Sequence, residues 1–141
     1  MNQHGDPNVG AVVRTAGLIA ALTYIDNVGF HGIATRLTGT SPRIDRSWTG
    51  LIRNARTAVA AINWPNEIQP LAQRFAAAAE RLAAVLDQGD ISATAEPAHE
   101  LHVAYHALSD AGWAYLAKTA GIPEEDRTTH HHDHGTPPSA L

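Results

Sequence analysis

The chain has 141 residues, 44% of them apolar and 17% charged, with a formal net charge of −4 and no cysteine. That length suits one domain with a real core, and the scatter of its ten Lys and Arg residues leaves no basic stripe to track a nucleic-acid backbone. Without cysteine there are no disulfides, thiolate metal sites, iron–sulfur clusters or attached c-type haem, so any metal ligand must offer nitrogen or oxygen.

The first residues, MNQHGDPNVG, lack the basic and apolar regions of a secretory signal. With Met1 as the native start a cytoplasmic location is expected, and with a removed leader an extracytoplasmic one. Arg14 and Asp26 interrupt the most apolar stretch, so none of the roughly 20-residue apolar runs that cross a bilayer is expected.

Four helices follow from their punctuation. Asp6 and Pro7 form an N-cap with proline at the first helical position, and Gly39 supplies a stop, giving helix A over about 7–38. Ser41 and Pro42 repeat the start signal for helix B, about 42–62, which ends at Asn63, Trp64 and Pro65. Helix C, about 66–88, carries the stripe Ile68, Leu71, Phe75, Ala78, Leu82 and Val85 and closes at Gly89. Helix D, about 91–120, has Asp90, Ser92 or Thr94 as its cap and Gly121 as its stop. The expected fold is all-α: a single up-down-up-down four-helix bundle over residues 1–122, with an open helical array or a dimer of hairpins as the alternative. Residues 123–141 read as a flexible His-rich tail with little to bury.

A polar seam carries the chemistry. The interior stripe of helix D is expected to be Ala95, His99, His102, His106, Ser109, Trp113, Leu116 and Ala120, in steps of three and four. On helix A the corresponding stripe contains one acid, Asp26. With A and D antiparallel and flush at their ends, Asp26 falls level with residues 101–103 and His31 with residues 96–98.

A buried aspartate without a partner costs several kcal/mol unless neutralised, and buried imidazoles must also find donors and acceptors. One divalent cation satisfies both. Imidazoles with one carboxylate suit zinc, copper, nickel or iron and do not suit calcium or magnesium. His102 and His106, at i and i+4, can chelate one ion, with Asp26 from the facing helix. His99 is a further ligand or a neighbour of His31, which lies about 140° from Asp26 on the helical wheel. Gly29 and Gly32 beside His31 break the local helix rule next to this seam, as functional sites often do. In the tail, His130, His131, His132 and His134 form a secondary metal-capture tract.

The expected function is therefore storage, delivery or sensing of a divalent transition metal. A metalloenzyme with an open His/Asp site, a bis-His haem bundle, and a metal-free, pH-sensitive interaction module are the alternatives. In the metal-free case the histidines form a polar layer with Asp26, Tyr24 and Ser109. No nucleophile motif or phosphate loop is present, and Glu-x-x-His does not occur on two helices as in the di-iron carboxylate bundles.

A small helical bundle with His102-x-x-x-His106 on its last helix resembles the broad superfamily of DinB-type metal-binding bundles. The resemblance covers that motif and the helix count, and it implies a third histidine ligand from the second helix. Helix B, as delimited above, contains no histidine.

Overall fold

A computed structural model describes residues 7–121, and every regular element among them is helical. In chain order these are α1 (Pro7–Asp26), α2 (Phe30–Thr38), α3 (Trp48–Ala60), α4 (Gln69–Gln88), a 3-10 turn (Ile91–Ala93) and α5 (Ala95–Thr119). The His-rich tract lies outside the described residues.

The neighbours close a ring: α3 packs on α4, α4 on α5, α5 on both α1 and α2, and α1 on α3. Inside it, Leu22, Ile25, Leu37, Ile52, Phe75, Leu82, Leu101 and Leu108 are fully buried. Each such side chain contributes about 1.5–3 kcal/mol of burial, so this core holds the fold. Arg53 ties α3 to α4 on the surface through Glu80 and Asp87, at 2.9 and 2.8 Å.

The segment expected as one helix over 7–38 is two helices. Val28 N–H donates to Ile25 and Asn27 N–H to both Thr23 and Tyr24, which tightens the end of α1. Gly29 then turns into the left-handed region at φ +90°, and α2 starts with Ile33 N–H donating to the Gly29 carbonyl. The break has a packing cause. Ile25 and Phe30 are both buried, yet five residues on an unbroken helix would set them about 140° apart. Rephasing at a glycine returns both to one core.

Helix starts also moved. Ser41 and Pro42 stay outside α3. Asp45 takes the backbone N–H and the hydroxyl of Ser47 on one carboxylate oxygen and thereby sets up the turn into Trp48. Asp90 does the same with Ser92 in the 3-10 turn, so α5 begins at Ala95. Trp64 is buried and donates its indole N–H to the Val59 carbonyl, closing the end of α3.

Val9–Thr38 is, by length and composition, apolar enough to cross a membrane, with a mean hydropathy of 1.4 in its best window. The expectation that Arg14 and Asp26 rule out such a stretch is corrected on that count. Gly29 breaks it, and 22% of that window is buried; Leu18, Leu22, Ile25, Phe30, Ile33 and Leu37 are the large residues of the stretch that enter the core most fully.

Candidate functional site

The face of α5 that enters the core is Ala98, Leu101, Ala104, Leu108, Ser109, Gly112 and Leu116. This overturns the expectation that His99, His102 and His106 point inward: His99 and His106 are exposed and His102 is half-buried. The two stripes differ by about one residue, or 100° of rotation. Leucines at 101, 108 and 116 outweigh imidazoles in the competition for the interior. The histidines are left on the shoulder of α5 that borders α2.

Register between the first and last helices is also shifted. A Cβ on Gly112 would lie 2.7 Å from Leu22, so the two helices approach closely there. Asp26 bonds Ser109 and His31 meets His102. Partners thus step backwards along α5 as the chain steps forwards from α1 to α2. Asp26 sits level with Ser109 instead of residues 101–103, because α5 starts late and α1 and α2 do not form one straight rod.

This register brings three imidazoles together. Nδ1 of His31 is 3.2 Å from Nε2 of His102, and Nε2 of His106 is 3.0 Å from the same atom. The rings meet as two pairs that share His102, with centroids 5.0 and 4.7 Å apart. Among the described residues, no group of three or more His, Cys, Asp or Glu side chains is placed so that it could hold a metal ion as it stands. Burial, and then the proximity of His106, His31 and His99, holds the His102 imidazole below its ordinary pKa and favours its neutral form. His99 is exposed and has the smallest influence of the three neighbours on His102.

Asp26 is engaged elsewhere. Its Oδ1 accepts from the Tyr105 hydroxyl at 2.7 Å and the Ser109 hydroxyl at 2.8 Å, and its Oδ2 accepts from the Trp113 indole at 2.8 Å. Three donors from three successive turns of α5 bind both oxygens and pin the end of α1 to that helix. Its pairing with Ser109 belongs to the metal-free polar layer described above, although Tyr105 and Trp113 take the place given there to Tyr24. Burial and the adjoining Asp26 push the Tyr105 phenol well above its usual range, so it stays a donor.

Tyr105 links the two groups. Its ring lies 5.0 Å from His106 and 5.3 Å from Phe30, and Phe30 meets Phe75 edge-on at 5.6 Å. Phe30 and Tyr105 adjoin His31 and His106 in sequence, so their packing holds α2 against α5 beside the imidazoles. Sequence reasoning missed Tyr105. Its signal was available: it stands four residues before Ser109 and eight before Trp113, a donor row facing one acid.

Comparison of the chain with protein-family models, with curated proteins and with solved structures gives no match.

Proposed function

We propose that the chain binds one divalent transition metal ion through His31, His102 and His106, and that it stores, delivers or senses that ion. The observation that carries the reading is the approach of two imidazole nitrogens to a third, Nε2 of His102, at 3.2 and 3.0 Å. A ring nitrogen has one in-plane lone pair or one proton, so Nε2 of His102 cannot serve two partners well by hydrogen bonding. A cation accepts all three lone pairs at once. At zinc–nitrogen distances of about 2.0–2.1 Å, tetrahedral ligands stand roughly 3.3 Å apart, close to the two spacings measured from His102, and side-chain rotation would have to turn the three rings onto one ion.

Charge supports the same reading. The depressed basicity of His102 leaves its lone pair free at neutral pH, and neutral imidazoles suit zinc, copper, nickel or iron. Asp26 serves as a clamp between helices in this reading. A porphyrin needs a slot between its axial ligands, which touching rings do not offer, so a bare ion is the occupant proposed.

Because His31 and His106 are exposed, an ion held there is reachable from water and keeps an open coordination position, which suits exchange better than a sealed structural role. A metalloenzyme would use the same open position to activate water. The test is calorimetric titration of metal-stripped protein with zinc, copper and nickel. Binding of one equivalent that is lost in His102→Ala supports the proposal, and absence of binding for all three rejects it.

A further inference from the structure

We infer that the outer face of α1 joins two copies of this chain into a symmetric dimer, independently of any metal. A surface helix ordinarily has one apolar face and one polar face. Here α1 has two apolar faces. Leu18, Ala21, Leu22 and Ile25 enter the core, while Val9, Val12, Val13, Ala16, Ile19 and Ala20 lie on the opposite side and are exposed. Val12 and Val13 are 66% and 64% exposed and Ile19 43%, large values for β-branched residues with no polar atom to present to water. Ala11, Val12, Thr15, Ala16 and Ile19 form an open, almost wholly apolar surface along this helix.

Area and charge identify the occupant. The stripe offers on the order of 500 Å², at the upper end for a monomer. Two stripes face to face bury about 1,000 Å², the lower bound for a specific interface, so a reversible dimer is the assembly this face can support. A helix lying on a lipid surface flanks its apolar face with Lys and Arg, whereas Arg14 is the one basic residue of α1 and the chain as a whole is acidic. The stripe itself carries no charge. A two-fold axis through its centre at Ala16 therefore sets it on its own copy with no charge left to match, the alanines receiving the valines of the partner.

The cysteine-free sequence makes the test direct. In the full chain, Ala16→Cys should form a covalent dimer on mild oxidation, while Glu67→Cys on the exposed turn before α4 should not. Light scattering of the unmodified chain should give twice the 15.0 kDa of the monomer at high concentration. Val13→Glu should weaken that association at least tenfold with an unchanged circular dichroism spectrum, and Val12→Glu checks the same face should Val13→Glu misfold. A monomeric mass at every concentration overturns the inference. So does a dimer indifferent to both substitutions, or a monomer that binds phosphatidylcholine vesicles through this face.

Discussion

Nδ1 of His31 and Nε2 of His102 stand 3.2 Å apart although 71 residues separate them in the chain. The contact exists because Gly29 breaks the first helical segment and swings α2 against the shoulder of α5. Glycine at φ +90° is strained for any other residue, so Gly29→Ala should cost about 1–2 kcal/mol of stability and should also disturb the imidazole group. Chemical denaturation, paired with metal titration of the same variant, checks both effects.

His31→Ala and His106→Ala should each weaken metal binding by at least tenfold, whereas His99→Ala should change it little. Added zinc should raise the melting temperature of the parent chain by mass action, by about 2.7 kcal/mol of stability at a hundredfold excess over Kd. Thermal melts of the four proteins with and without zinc give the comparison.

Stability of the metal-free protein should fall as pH drops below about 6.5. Folding depresses the basicity of His102, so the unfolded chain takes up its proton more readily. The contribution is complete above the ordinary histidine pKa and is lost as pH falls through the lower value of the folded state. His102→Gln should flatten this part of the profile, as measured by urea denaturation between pH 5 and 8.

Asp26→Asn should destabilise the fold by about 1–3 kcal/mol, because both carboxylate oxygens accept hydrogen bonds from α5. Tyr105→Phe should cost less, about 0.5–1.5 kcal/mol, since it removes one bond and keeps the ring against Phe30 and His106. Loss of stoichiometric metal binding in Asp26→Asn, with the fold intact by circular dichroism, would return Asp26 to the ligand set.

Gly112→Ala should be destabilising by about 1 kcal/mol or more even though alanine is the better helix former. Its Cβ would stand 2.7 Å from Cδ2 and 2.8 Å from Cδ1 of Leu22, a fully buried side chain. Equilibrium denaturation is sufficient, and a stabilised variant would mean that α1 and α5 can separate at no cost.

Helical content was legible because alanine-rich stretches, spaced leucines and glycine stops are local signals. Gly89 and Gly121 end α4 and α5 in the left-handed region, as such signals imply. The break at Gly29 was visible as an oddity without a direction, since only the requirement to bury both Ile25 and Phe30 shows that the helix must rephase. The histidines were found, but their depth was not: a stripe centred on residues 99, 102 and 106 and one centred on 98, 101 and 108 are equally periodic. Which one faces inward is decided by the leucines and by the neighbours they meet. Asp26 was read as a buried acid needing partners; it is exposed, and hydroxyl and indole donors of α5 surround it. Its donors could not be named until the register with α5 was known, and end-to-end alignment misses that register by more than a turn.

The most direct measurement is the metal stoichiometry of the full chain with His130, His131, His132 and His134 replaced by alanine, so that the tail contributes no imidazole. One equivalent of zinc, abolished by adding His102→Ala, is the predicted result. No binding before that substitution, or equal binding after it, would contradict the proposed site.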